Sequence, residues 1–200
     1  MYLYGASGHG KVIKEILESQ GRAVDGFVDD NPEISELSGL PVRHSMEGVE
    51  EVIVSIGVNK TRKKVVEKLN CRIADAAIHD KAVVSPSAQV GEGSVVMAGA
   101  IINADAQIGR HCIVNTGASI DHECQLDDYV HVSPHATLCG NVAIGEGTWI
   151  GAGSVVIQGI RIGRWAMIAA GSVVTKDIPD GCLAAGNRCK IIKEINQELL

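Results

Sequence analysis

The 200-residue sequence has few aromatic side chains: one Phe, two Trp and three Tyr. Rings fill much of an ordinary core, so their scarcity, beside 23 glycines, points to small aliphatic side chains stacked in regular layers. The six cysteines (Cys71, Cys112, Cys124, Cys139, Cys182 and Cys189) form no C-x-x-C pair and no zinc-ligand spacing. That excludes a zinc ribbon or a disulfide scaffold and fits a reducing compartment. No apolar run approaches the roughly 20 residues that span a bilayer. The opening Met1-Tyr-Leu-Tyr-Gly5 has no basic segment followed by an apolar core, so no membrane insertion and a cytoplasmic location are expected. The formal net charge is -6 and the basic residues are scattered, which leaves no footprint for a nucleic acid backbone. A small-molecule partner is expected instead.

What is present is a repeat of six. From Val84 to Val174 every sixth residue is a branched aliphatic, sixteen in all, and the residue four places after each is mostly small, as at Ala100, Ala106, Cys112, Ala118 and Ser154. Neither a helical period near 3.6 nor a strand period of 2 keeps that register. A triangular coil does. Each hexapeptide supplies a short strand and a corner, the aliphatic residue points inward, and three hexapeptides close a lap of 18 residues. Laps stack about 4.8 Å apart, like neighbouring strands of a parallel sheet, so the prism is roughly 25 Å long.

Residues 1–76 lack the repeat. A β-prone Met1–Tyr4 leads into Gly5-Ala-Ser-Gly8-His9-Gly10. An amphipathic helix follows, with Val12, Ile13, Ile16 and Leu17 on one face and its end near Gly21. Strands are expected over Val24–Val28, ending at Asp29-Asp30, and over Val52–Ile56, followed by Gly57 and a basic helix from Lys60 to Leu69. Strand, glycine loop, helix and strand make a Rossmann-like α/β unit. The loop does not match G-x-G-x-x-G, which argues against a dinucleotide cofactor. Its backbone N–H groups still suit phosphate, and acids closing the second strand can accept hydrogen bonds from a ribose or base. A nucleoside diphosphate fits that combination. Residues 77–180 then form the prism, and residues 181–200 a turn and an amphipathic helix (Ile191, Ile192, Ile195, Leu199) that caps its open end.

An 18-residue lap makes positions 18 apart spatial neighbours. His122 follows the inward Ile120 and lies beside Gly140 on the next lap. Acyl transfer from a thioester needs a base for the acceptor's proton and a donor for the developing oxyanion. An outward His122 can be the base and the unobstructed N–H of Gly140 the donor. Glu123 can accept from Nδ1 of His122 and set its tautomer, provided both residues sit at a corner, because neighbours on an extended strand point oppositely. His44, His79, His111 and His135 are read as surface residues. A flat wall cannot enclose a ligand, so the cleft is expected between prisms, three of them under cyclic symmetry.

The runs Asn115-Thr-Gly-Ala-Ser-Ile-Asp121-His122-Glu123-Cys124, Tyr129-Val-His131-Val-Ser133 and Cys139-Gly140-Asn141-Val142 resemble the sugar acetyltransferases of the PglD and NeuD type. Tyr4-Gly-Ala-Ser-Gly-His9-Gly10, Asp29-Asp30 and Ser55-Ile-Gly57 carry the likeness across nearly the whole chain. The resemblance implies an α/β Rossmann-like domain followed by an all-β left-handed parallel β-helix. It implies His122 as proton acceptor with Glu123 tuning it, and acetyl-CoA contacts at His131, Gly140, Ala152 and Ala170. It further implies that Ser7, Gly8, His9, Asp29, Asp30 and Gly57 hold a UDP-linked amino-dideoxy sugar acetylated on its 4-amino group, in a homotrimer without a metal. One departure stands out: Gly186-Asn-Arg188-Cys-Lys190 replaces the family's Gly-x-Pro-Ala-Lys/Arg turn. Three other readings remain open: O-acetylation of a sugar or sialic acid, a zinc hydro-lyase built on His122, His131 and His111 or His135, and a non-catalytic scaffold.

Overall fold

The computed structural model describes residues 1–195. The N-terminal sheet holds β1 (Tyr2–Tyr4), β2 (Gly26–Val28), β3 (Glu36–Leu37), β4 (Leu40–Arg43), β5 (Glu51–Val54) and β6 (Arg72–Ile73), in the order β3-β4-β2-β1-β5-β6. All neighbours run parallel except the β3–β4 hairpin, which turns at Ser38-Gly39 with φ of +50° and +76°. Helix α1 (Gly8–Ser19) buries Ile13, Ile16 and Leu17 and ends at Gly21, whose φ of +71° only glycine adopts at no steric cost. Val12, expected on that buried face, is 40% exposed: it lies one position off the stripe. Helix α2 (Asn59–Val66) follows β5 after the loop 55–58. The hairpin and β6 were not legible as strands, being only two to four residues long with mixed polarity.

From β7 (Ala77–Ile78) to β23 (Val173–Val174) the chain winds as a left-handed β-helix of two-residue strands. Pairing is parallel in steps of 18, as in Val95↔Ile113, Ile113↔His131, His131↔Trp149 and Trp149↔Met167. The lap length read from the sequence is thus the observed register. Fourteen of the sixteen aliphatic positions are buried, and Val84 and Val90 are only half-buried because they belong to the first lap, with no coil outside them. From residue 93 to residue 171 each corner carries one residue at positive φ: glycine at Gly93, Gly99, Gly117 and Gly147, among others, but also His111, Glu123, Tyr129, His135 and Trp165.

The three faces differ in what they show outward. The first carries Ala77, Val95, Ile113, His131, Trp149 and Met167. Its lower half is covered, since Ala77, Val95, Met97 and Ile113 share one core with Leu3, Ile13, Ile16, Leu17, Phe27 and Ile53. The second carries Val83, Ile101, Ser119, Thr137, Val155 and Val173, a β-branched and Ser row in which Val83 is 63% and Ile101 40% exposed. The third carries a ladder of Gln89, Gln107 and Gln125.

The C-terminal segment corrects an expectation. Residues 190–194, expected in a capping helix, form β25 (Lys190–Glu194), antiparallel to β24 (Cys182–Ala185), which itself continues the first face beyond Met167. The open edge of a parallel sheet offers unpaired N–H and C=O groups, and a strand satisfies them where a helix cannot. Residues 196–200, Leu199 among them, lie outside the described residues. The turn lacking the family's proline still docks: Gly186 N donates to Ser172 Oγ at 3.1 Å and Cys189 N to the Val173 carbonyl at 2.8 Å.

Because each inward side chain is gripped by the laps above and below, one deletion acts on three laps. Leu138→Ala is expected to cost about 2–5 kcal/mol, read as a drop in urea midpoint.

Candidate active site

The corner at His122 has the expected geometry. It lies between the strands Ser119–Ile120 and Gln125–Leu126, and the φ of +59° at Glu123 swings that side chain to the same side as its neighbour. His122 Nδ1 and Glu123 Oε2 are 3.1 Å apart, and Asp121 Oδ1 accepts the His122 N–H at 2.8 Å and an Asn103 amide proton at 2.9 Å. A Cβ built on Gly140 would lie 2.6 Å from both Nε2 and Cε1 of His122, so the imidazole rests on the bare Cα of the next lap. Among the described residues the Gly140 N–H makes no hydrogen bond. Any other residue at 140 displaces the ring.

The remaining candidates gather on the first face and the N-terminal unit. A cavity of about 510 Å³ is lined by Ser7, His9, Asp29, Asp30 and Gly57, with Tyr4, Val58 and, from the prism wall, His131 and Trp149. Two helix starts border it, α1 at Ser7 and α2 at Val58, and neither has a side-chain cap, so both present N–H groups and positive dipole ends. Gly8 opens α1 but does not line this cavity, and a Cβ there would meet nothing. Gly10 is the constrained glycine, since a Cβ would lie 2.6 Å from the Gly5 carbonyl oxygen. Asp29 is partly occupied by the fold: Oδ2 accepts the Ala6 N–H at 2.7 Å and Oδ1 the Asn31 N–H at 2.9 Å. Asp30 accepts the Tyr4 hydroxyl at 2.6 Å, and burial together with that carboxylate pushes the phenol up to about 12.

A second, apolar groove of about 380 Å³ is lined by His131, Ser133, Pro134, Trp149, Ala152 and Ala170, among others. His131, Ala152 and Ala170 are therefore together, whereas Gly140 stands apart with His122 on a different corner. Trp149 borders both cavities, stacks on His131 at 4.9 Å between centroids and donates from Nε1 to Ser133 Oγ at 2.7 Å. Asn115 Nδ2 lies 3.1 Å from His131 Nε2. Sequence reasoning missed Trp149 and Asn115, although an aromatic at an outward strand position was the available signal.

It also misplaced His111. Expected at the surface, this residue is 4% exposed and stacks on Tyr129 at 5.2 Å, beneath α2, because the corner column 93–111–129–147 faces the N-terminal unit. Burial and the nearby Arg62 charge lower His9 and His111 to about 4 and His131 to about 3. Each has a buried ring nitrogen without a partner among the described residues. Among those residues no group of three or more His, Cys, Asp or Glu could hold a metal ion, and no helix is long and apolar enough to cross a membrane.

A glycine-loop α/β unit set on a hexapeptide prism, with a base-like histidine at a bare corner, defines the β-helix acyltransferase architecture. Residues 1–69 match the PglD N-terminal domain family, and residues 141–176 match the bacterial transferase hexapeptide (six repeats). PerB of Caulobacter crescentus, solved with CoA and GDP-perosamine, is 39% identical with a TM-score of 0.91, covering 96% of each chain. The acetyltransferase domain of PglB from Neisseria gonorrhoeae FA1090, solved with acetyl coenzyme A, is 37% identical with a TM-score of 0.87, covering 96% of this chain and 98% of that one. A UDP-N-acetylbacillosamine N-acetyltransferase of Bacillus subtilis (strain 168) is 42% identical over 108 residues, 48% of this chain; the match spans half (50%) of that relative's length. The chain belongs to the PglD-type sugar acetyltransferase family.

The three lowered histidines fix a pH dependence of stability. Unfolded, each titrates near 6.5; folded, each stays neutral down to about 4 or 3. Between those values the unfolded chain binds protons that the folded chain does not, so stability is full above pH 6.5 and is lost as pH falls towards 4. The melting temperature is expected to drop steadily from pH 7 to 4.5, and a flat profile would contradict the assignment.

Proposed function

We propose that the protein transfers acetyl from acetyl-CoA to the amino group of a nucleotide-linked amino sugar, with His122 as general base. The observation that carries this is the stacking of His122 on Gly140 with Glu123 at Nδ1. With Nδ1 turned to the carboxylate, Nε2 is the free nitrogen and takes the proton as the acceptor amine attacks the thioester carbonyl. The new C–N bond forms, the developing oxyanion meets the Gly140 N–H, and the C–S bond breaks with release of CoA thiolate, which takes the proton from His122 Nε2 and leaves the imidazole neutral. No protein nucleophile is needed. Cys112, fully buried, is pushed up to about 12, and burial also raises Cys124, so neither supplies a thiolate.

The 510 Å³ cavity takes the nucleotide: the diphosphate at the two helix starts, the ribose or base towards Asp30 and Tyr4. The apolar groove at His131, Ala152 and Ala170 takes the pantetheine arm. Two of the relatives named, the Bacillus N-acetyltransferase and PerB held with GDP-perosamine, favour nitrogen over oxygen as acceptor. The finer assignment is a 4-amino group on a UDP-linked dideoxy sugar, supported by the Bacillus relative's UDP substrate.

His122 follows the second face at one corner, whereas Pro134, Ala152 and Ala170 precede it at another. A single prism therefore keeps base and coenzyme groove apart. Head-to-tail contact through the β-branched second face brings the base of one protomer to the groove of the next, and closure of that contact gives a homotrimer with three equivalent sites. The six free cysteines support a cytoplasmic setting.

His122→Ala is expected to lower kcat by about 10²- to 10⁴-fold, assayed as CoA release with UDP- and GDP-linked amino sugars. Gly140→Ala, which pushes the ring aside without removing it, is expected to cost about 10²-fold with the melting temperature kept. Undiminished turnover in a folded His122→Ala would reject the mechanism.

A further inference from the structure

Arg62 is the largest fully buried side chain, 1% exposed, and no carboxylate lies among its partners. All five N–H donors are used. Nε donates to the His111 carbonyl at 2.9 Å, Nη1 to the carbonyls of Ile56 at 2.8 Å and Gly57 at 3.1 Å, and Nη2 to Asn59 Oδ1 at 2.8 Å and the Tyr129 carbonyl at 3.0 Å. Asn59 Nδ2 extends the set to the Gly147 carbonyl at 3.0 Å. His111, Tyr129 and Gly147 hold the same corner position on three successive laps, each at positive φ. Their N–H groups join the lap-to-lap ladder at the carbonyls of Glu92, Arg110 and Asp128, but their own carbonyls are left outside it. One turn of α2 collects all three.

Burying a cation with no acid beside it is costly, and an apolar side chain of similar volume is often as good for stability. The fork does what an apolar chain cannot. It ties the loop carbonyls of Ile56 and Gly57, on the nucleotide side of the cavity, to the prism corner beside the His131–Trp149 wall. We infer that Arg62 is a positioning residue for the acceptor: it sets the spacing between the glycine-loop half and the prism half of the nucleotide-sugar cavity. This rests on the nucleotide-sugar reading of that cavity. The guanidinium has no donor left for substrate, so it acts through Gly57 and Val58, not by contact.

The test is calorimetric titration of the full chain with UDP, GDP and CoA separately, for wild type, Arg62→Gln, Arg62→Lys and Asn59→Ala. Arg62→Gln is expected to fold, because the prism interior is a core of its own. It should weaken the nucleoside diphosphate that wild type binds by at least about 10-fold, equivalent to about 1.4 kcal/mol, and leave CoA within about 2-fold. Arg62→Lys keeps the charge but not the planar fork, and should stay as weak as Arg62→Gln. Unchanged nucleotide affinity in a folded Arg62→Gln, equal losses for nucleotide and CoA, or full recovery with Lys would each overturn the inference. Should Arg62→Gln not fold, Asn59→Ala decides: a nucleotide-only loss supports the clamp, and an equal or absent loss overturns it. Wild type that binds neither UDP nor GDP refutes the cavity assignment and the clamp together, whereas wild type that binds but does not transfer acetyl refutes only the chemistry.

Discussion

Eighteen residues to the lap is the constraint on which the rest depends. Once the backbone N–H of one lap must meet the carbonyl of the next, as Val95 does with Cys112 and Ile113 with Val130, every position is committed to a column. Inward columns become the core, outward columns become faces, and corner columns become sites. The pairing of His122 with Gly140 follows from this arithmetic, as does the series of corner carbonyls at 111, 129 and 147. A residue inserted in one lap would shift every later column and separate the ring from its bare neighbour.

The prism was legible because its signal is redundant: sixteen aliphatic positions report one period, so the local exceptions do not hide it. The His122 corner was legible for the same reason, since neighbours 18 apart can be read without coordinates. Arg62 was not. It sits in Asn59-Lys-Thr-Arg-Lys-Lys64, a run whose charges look like a solvated face, and only the docking of α2 distinguishes the one buried cation from the half-buried Lys60 and Lys63 and the exposed Lys64. His111 was misread because a histidine at a corner is exposed unless another element covers that corner, and cover is a tertiary fact. Lys190-Ile-Ile-Lys-Glu194 has apolar spacing compatible with a short helix, but the β-branched pair beside an unfilled sheet edge goes to strand.

Besides the Lys63–Glu146 ion pair, the N-terminal unit and the prism meet through an apolar and a polar contact, and each does something the other cannot. The apolar one, with Ile13, Ile16 and Leu17 of α1 in one core with Ala77, Val95 and Ile113, is non-directional. The polar one, Arg62 and Asn59 on corner carbonyls, has few atoms and strict directions. Burial alone would permit small slides between the two parts. Three directed donors to the prism, two from Arg62 and one from Asn59, remove that freedom where the cavity lies, while the rest of the fork holds Ile56, Gly57 and Asn59.

The electrostatics then set the surroundings of the cavity apart from those of the His122 corner. Around the cavity, Arg62 stays charged even with its pKa lowered to about 10 by burial, while His9, His111 and His131 stay neutral well below physiological pH. The positive part of the field there comes from one guanidinium and two helix starts, with the carboxylates of Asp29 and Asp30 lining the same cavity; that arrangement suits the proposed diphosphate. His122 stands outside that field, its side chain 56% exposed and beside a carboxylate in place of a cation. On the first face, burial and the Arg62 charge hold His131 neutral, a setting unsuited to the proton transfer proposed for His122. In the proposed mechanism the prism supplies the distance, because His122 and the apolar groove lie on different corners, and it is the neighbouring copy in the proposed trimer that brings them back together.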